Sequence, residues 1–459
     1  MIGGLMKTTS RFALVAAAVG FLMGGYSLSA RAADLGGDCC ADLEERVAEL
    51  ESTTVRKGNR KVSLELSGQV DKALLIWNDG KNSDAFVVDN GYSSSRFRMK
   101  GTGQMMPGWK AGFYIELEGR DSASSGVNQL SETGGRGTDS LTGSLRWRQE
   151  NVFVESEKFG RVTIGVQNMA TKDLTLINLG GGMVQPENDW AAGFRLRNAA
   201  GAVGASTVTW NQMSNALDAV RAEVVRYDSP SLYGFIFSAS WGQNDVWDTA
   251  LRYQKEWNSI RIAGGIGYSF FGEANCAGAT NNTALNGTCT IGGENADQVR
   301  NNAGFPTPGI GTKTEIVSGD VSVMHVPTGL YATFAAATRH LTNPAFTAVA
   351  NKDATYWYGQ AGITKRFWEV GATTLYVDGG VYDNFGVGVN FASLGGGVAS
   401  STSVDRWGAG ITQAFDGAAL ELYSNYIHYS ADVTTNSRQT PKPVIEDWDA
   451  VITGARLKF

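Results

Sequence analysis

From Val62 to the end of the chain, apolar and polar residues alternate with a period of two. Val62, Leu64, Leu66 and Val70 are interleaved with Ser63, Glu65, Ser67 and Gln69. Ala111, Phe113, Ile115 and Leu117 alternate with Lys110, Tyr114, Glu116 and Glu118, and Leu375, Val377 and Val381 with Thr374, Tyr376 and Asp378. Successive side chains of a strand point to opposite faces, so this repeat predicts strands with one apolar and one polar face. Sixteen such segments are readable: 62–77, 92–105, 109–121, 144–157, 160–169, 221–229, 232–243, 246–257, 259–273, 313–326, 329–340, 354–367, 372–384, 402–415, 418–431 and 447–459. Seven joins are tight, around Pro107-Gly108, Phe159-Gly160, Pro230, Asn258, Pro327-Thr328, Glu369-Val370 and Asp416-Gly417. The others are mostly long, around 79–91, 122–143, 170–220, 274–312, 341–353, 385–401 and 432–446, with a short exception near Asn244-Asp245.

An even number of strands, with tight turns on one side and long loops on the other, predicts an all-β transmembrane antiparallel barrel of sixteen strands. Hydrocarbon offers no partner to an unpaired backbone N–H or C=O, so a sheet that spans a membrane has to close on itself. The apolar face then meets lipid and the polar face surrounds the interior. A soluble, secreted all-β sandwich or solenoid would also alternate. The loop asymmetry and the two chain ends favour the barrel.

Before the strands the pattern is different. Lys7 and Arg11 precede an apolar run from Phe12 to about Gly25, and Ala30-Arg31-Ala32 follows as a small-x-small exit. Residues 1–32 therefore read as a cleaved signal peptide. Its removal takes away Lys7, Arg11 and Arg31 and moves the formal net charge from −6 to −9. Residues 33–60 read as a short periplasmic helix with a solvated hinge, since Leu43, Val47 and Leu50 fall at helical spacing ahead of the basic run 56–61. Residues 61–459 form the barrel, within which 170–220 is expected to be an inward-folded constriction loop.

Composition narrows the function. A pI near 5.3 argues against a nucleic-acid partner. Beyond the signal peptide no apolar run approaches the ~18 residues of a spanning helix. Export makes Cys276 and Cys289, 13 apart in a Gly/Asn/Thr-rich stretch, a candidate loop-stapling disulfide. Cys39 and Cys40 are left open between pairing across chains, pairing with a partner and remaining free. The histidines are His325, His340 and His428, none in a metal or nucleophile spacing, and no P-loop, Rossmann, HExxH or GxSxG motif is complete. The expectation is a non-enzyme without cofactor or metal. At the chain end Val451, Thr453, Ala455, Leu457 and Phe459 share one face. This resembles the terminal strand by which outer-membrane proteins are read by the barrel assembly machinery, with Leu457 and Phe459 as its insertion residues.

Four stretches also resemble a known family, the general porins of alphaproteobacteria. These are AADLGGDCCADLEERVAELE (Ala32–Glu51), RKGNRKVSLELSGQV (Arg56–Val70), NVFVESEKFGRVTIG (Asn151–Gly165) and GARLKF (Gly454–Phe459). The resemblance implies a homotrimeric, water-filled channel in the outer membrane of a Gram-negative bacterium, in contact with its lipid and lipopolysaccharide. It also implies that the third long loop forms the constriction.

Candidate lining residues follow from the pattern. Arg96, Arg98 and Lys100 share the polar face of one strand, and Glu116 and Glu118 that of the next. With the hairpin centred on Pro107-Gly108, Arg98 falls opposite Glu116 and Arg96 opposite Glu118. Such bases either face loop acids and set up a transverse field, which is the favoured reading, or form cross-strand ion pairs that stiffen the wall. The long loop brings Asp173, Glu187 and Asp189 together with Arg195 and Arg197. Arg146 and Arg148 form a second basic pair whose register conflicts with its surroundings. Either a bulge or burial in a subunit interface would resolve the conflict. The expected function is passive diffusion of small hydrophilic solutes and ions. The alternatives are a channel selective for sugars or anions and a structural or adhesive surface barrel. The sign of ion preference is not set by the sequence.

Overall fold

The computed structural model describes residues 61–119, 122–133, 145–183, 190–204, 208–215, 217, 221–242, 245–272, 313–342, 353–436 and 443–459. The signal peptide, the periplasmic helix and all four cysteines lie outside them.

Seventeen strand segments form one antiparallel sheet: β1 Val62–Asn78, β2 Ser83–Asp89, β3 Arg96–Met106, β4 Trp109–Gly119, β5 Leu145–Ser156, β6 Gly160–Asn168, β7 Arg221–Asp228, β8 Phe235–Gly242, β9 Trp247–Trp257, β10 Ile260–Phe271, β11 Lys313–His325, β12 Leu330–Thr342, β13 Asp353–Trp368, β14 Gly371–Asp383, β15 Ala399–Phe415, β16 Leu420–Thr435 and β17 Trp448–Lys458. From β3 onward each segment pairs with the next along the chain, and β17 returns to β1 from Gln69↔Lys458 to Asn78↔Asp449. The ring is closed and has sixteen wall positions, because β2 and β3 share one. The first half of β1 pairs with β3, from Val62↔Gly103 to Gln69↔Arg96, and its second half with β2, from Lys72↔Asp89 to Asn78↔Ser83.

The seven tight turns fall where the dyad pattern breaks. The expected 79–91 loop is instead a four-residue turn followed by β2. Asp79 closes this turn by accepting from the Asn82 amide at 2.8 Å, and Gly80 supplies the positive φ of 85° that the reversal needs. The one-residue conflict at Arg146 and Arg148 is resolved by a bulge. The β4–β5 register passes from Leu117↔Trp147 to Glu116↔Gln149, so Arg148 is the extra residue. Trp147 points out before it, and Val152 and Val154 point out after it.

Burial is inverted relative to a soluble sheet. On β11 the apolar Val317, Val321 and Val323 are exposed, while the polar Ser318, Asp320 and Ser322 are buried. The exposed face continues around the ring through Phe97, Ile164, Val225, Phe237, Phe334, Trp357, Leu375 and Trp407. A surface this apolar is stable only against hydrocarbon or another apolar face.

The interior is not uniformly polar. At the long-loop end, Trp77 and Phe86 from β1 and β2 and Tyr429 and Trp448 from β16 and β17 pack with Phe194 and Trp210 of the 170–220 segment. Ring centroids are 5.2 Å apart for Trp77–Phe194, 5.1 Å for Phe194–Trp448 and 5.5 Å for Trp210–Tyr429. Burying each such side chain is worth roughly 1.5–3 kcal/mol. This aromatic filling covers part of the inner wall on the β1–β2 and β13–β17 side, where the inner face also carries buried charged groups such as Asp71 of β1 and the Arg406–Asp378 pair of β15 and β14.

Candidate functional site

The inner face of β3, β4 and β5 carries the densest group of charges. The hairpin register places Arg98 opposite Glu116 and Arg96 opposite Glu118, as the turn position predicts. Glu116 accepts from Arg98 Nε at 2.6 Å, from Arg148 Nε at 2.7 Å and from the Tyr114 hydroxyl at 3.0 Å. Glu118 accepts from Ser94 Oγ at 2.5 Å and pairs with Arg148 Nη1 at 3.0 Å and Arg146 Nε at 3.3 Å. Arg148, pushed inward by the bulge, therefore bridges both carboxylates.

Depth separates the two signs. The side chains of Glu116 and Glu118 are 3% and 1% exposed, whereas those of Arg98 and Arg146 are 30% and 27% exposed. The carboxylates sit against the wall and the guanidinium groups stand in front of them. Arg96 is held differently from its register partner. Its Nε donates to the Ser94 carbonyl at 3.0 Å and its Nη2 to the Ser94 hydroxyl at 3.4 Å. Among the described residues no carboxylate is in ion-pair contact with Arg96 or with the exposed Lys100.

The long segment after β6 runs along the inner wall. Asp248 of β9, fully buried, accepts from the Ala170 amide at 3.1 Å, the Thr171 amide at 2.6 Å and the Thr171 hydroxyl at 2.9 Å. Further along, the Leu179 amide donates to Ser322 Oγ at 3.0 Å, Asn178 Nδ2 to Gln360 Oε1 at 2.7 Å and Gln360 Nε2 to the Met183 carbonyl at 2.8 Å. Gly265 and Gly267 of β10 leave room for this path. A Cβ at either would come within 2.5 Å of Leu174 or Thr171.

Asp173 lies on this segment with a positive φ of 60°, its carboxylate 2.7 Å from Lys172 Nζ. Its side chain is 46% exposed, and what desolvation it suffers would raise its pKa. Lys172 and Arg221 outweigh that and hold it below the usual carboxylate range. Arg221, at the start of β7, is within electrostatic reach of Arg148, Asp173, Glu118 and Glu116. It thus joins the β3–β5 group, and Lys172 adjoins that group through Asp173, which is within electrostatic reach of Arg148. Neither stood out in the sequence, because Lys172 lies outside any strand repeat and Arg221 precedes the clear part of its own.

Other expected residues are placed elsewhere. Arg197 is buried and pairs with Asp79 at 2.6 Å, beside the aromatic filling, and Arg195 meets Gln129 through its backbone amide at 3.0 Å. The structure does not bring these two to the β3–β5 group. Glu187 and Asp189 lie outside the described residues, as do Cys276 and Cys289. Leu457 is paired with Val70 and points outward. Phe459 exchanges backbone hydrogen bonds with Gly68, at 2.8 and 3.1 Å, and its ring lies over that glycine.

Two solved structures share this architecture. One is OmpT, an outer membrane protein of Vibrio cholerae, at 11% identity and TM-score 0.50, covering 88% of this chain and 99% of that one. The other is the anion-selective porin from Comamonas acidovorans, at 15% identity and TM-score 0.51, covering 87% and 100%. At these identities the likeness concerns the fold. No curated protein sequence matches the chain. The Gram-negative porin family matches residues 13–426. With a closed barrel, apolar outside and charged within, the chain belongs to the Gram-negative porin family and is a channel of the outer membrane.

Proposed function

We propose that this porin is a general diffusion channel: a passive, water-filled path for small hydrophilic solutes and ions, without catalysis or cofactor, of the alphaproteobacterial type. One observation carries the reading. The inner wall of β3–β10 presents charged and hydroxylic side chains to the interior, opposite an outer face of exposed valine, phenylalanine and tryptophan. Residues Arg96, Arg98, Lys100, Arg146, Arg148, Glu116, Glu118 and Asp173 line the narrow part, which the 170–220 segment restricts by lying along the wall.

Assembly as a homotrimer is part of the same reading. On the outer face Glu150 of β5 and Glu223 of β7 flank Val166 in one row. Carboxylates facing hydrocarbon are disfavoured, whereas a face covered by a neighbouring copy accommodates them. The signal peptide, the periplasmic helix, the Cys276–Cys289 bridge and recognition of the last strand by the barrel assembly machinery complete the proposal.

Liposome swelling with a graded series of sugars tests it. A rate that falls smoothly with solute size supports general diffusion. Saturable uptake of one sugar indicates a selective channel, and absence of swelling indicates a structural or adhesive barrel.

A further inference from the structure

The β1–β2 hairpin rises above the part of the wall that crosses the membrane. A spanning strand uses about 9–11 residues, whereas β1 has 17 and starts at the tight-turn end. Its outer face carries Lys72, paired with Asp89 of β2 at 3.1 Å, and the next outward residue is Leu74. A charged pair at that height belongs at the water interface. Leu74 and its register partner Val87 therefore stand on the long-loop side of the lipid, and Val87 is 74% exposed. β2 is also open along one edge. Among the described residues its ladder is with β1 alone. The Asp89 N–H donates to the Ser122 carbonyl at 3.1 Å, and the Asp89 carbonyl accepts from the Ser124 amide at 2.8 Å. Asp89 thus directs its backbone groups away from β1, and since direction alternates residue by residue, Ser83, Ala85 and Val87 do the same. The Ala85 N–H is capped by the Asp84 carboxylate at 2.7 Å. The N–H and C=O of Val87 meet no partner among the described residues. This edge looks toward β4 and β5, where Leu145 and Trp147 are exposed on the outer face and Glu150 follows below them.

We infer that an extended segment of the neighbouring copy completes the open edge of β2, pairing with the backbone of Val87 and covering its side chain together with Leu74. The inference rests on the trimer reading and assigns that assembly a contact above the membrane. An open edge beside exposed valine is a template for another strand, and a stable protein keeps such an edge covered. Lipid cannot cover it, because hydrocarbon offers no partner to an N–H or C=O. A second copy is the occupant at hand, since the outward carboxylates Glu150 and Glu223 mark the adjoining wall as covered by a neighbour and the open edge faces that same sector. Strand addition supplies backbone hydrogen bonds for affinity, and the alternating side chains Ala85 and Val87 supply the apolar contact.

The test is the temperature at which the purified native protein converts from trimer to monomer, read by its mobility in detergent gels after stepwise heating. Val87→Pro removes the edge N–H and, because that group points away from β1, leaves the β1–β2 ladder whole. Val87→Lys keeps the N–H and places a charge on the covered face, and it decides the matter if the proline variant does not fold. Both variants are expected to form folded barrels that still conduct. Their trimers are expected to dissociate at lower temperature, with the monomer share raised on the order of tenfold by the loss of one backbone hydrogen bond or the burial of one charge. Variant trimers as heat-resistant as the native ones overturn the inference and leave the trimer standing. A native protein that migrates as a folded monomer overturns the trimer reading as well.

Discussion

Replacing Asp248 by alanine removes the anchor that ties the start of the long inner segment to the wall. The carboxylate is fully buried and accepts from two backbone amides and a hydroxyl of Ala170 and Thr171, as well as from Ser240. Hydrogen bonds to a charged acceptor contribute about 1.5–3 kcal/mol each. They are not independent here, and water in the bore can rehydrate the released amides. A total near 3 kcal/mol is therefore reasonable, or roughly a hundredfold shift from attached to detached segment. Ser322→Ala removes one neutral bond, from the Leu179 amide, and should cost only about 1 kcal/mol. Single-channel recording reads the difference as excess open-channel noise and raised conductance in Asp248→Ala, with Ser322→Ala close to native. Resistance of the barrel to unfolding in detergent without heat verifies that the variant is assembled. If folded Asp248→Ala shows native conductance and native noise, the anchoring role assigned to this residue is wrong.

Three further expectations follow from the same contacts. Glu116→Gln withdraws the charge that holds Arg98 and Arg148 and should lower the unfolding temperature in detergent, with a loss of about 2–4 kcal/mol; an unchanged melting profile would contradict the buried pairing. Asp173, whose folded pKa lies below its unfolded value, contributes stability that is complete above the usual carboxylate range and is lost only as pH falls through the depressed value. Open-channel noise should accordingly stay flat from pH 7 down to about pH 4, and a rise already at pH 5 would refute this. Phe459→Ala removes the ring over Gly68 while leaving the last backbone pairs. Slower or reduced insertion into outer membrane, measured by the fraction of folded protein, is expected.

The parts legible in the sequence are those fixed by local rules. The dyad repeat and the glycine, proline and asparagine turns located the tight hairpins, and the centre of the Pro107-Gly108 turn gave the Arg98–Glu116 register directly. Other features depend on neighbours far away in the chain. Ser83–Asp89 is too short to stand out and is a strand only because the upper half of β1 lies beside it. The bulge at Arg148 was visible as a register conflict around Arg146 and Arg148, but its resolution needed Glu116 and Glu118 from β4. The Asp248 anchor and the inclusion of Arg221 join residues from non-adjacent elements, which no periodicity reports. The aromatic filling was hidden for another reason. Trp77, Phe86, Tyr429 and Trp448 break the polar inner pattern singly, and they make sense only against Phe194 and Trp210 from the long segment.

Planar-bilayer recording of the purified mature protein addresses the central claim, an open aqueous path through a lipid-embedded ring. Discrete conductance steps that scale with the bulk conductivity of the salt solution, with closures in groups of three, are the expected result. Membranes that incorporate the folded protein yet stay electrically silent at all salt concentrations would contradict the account.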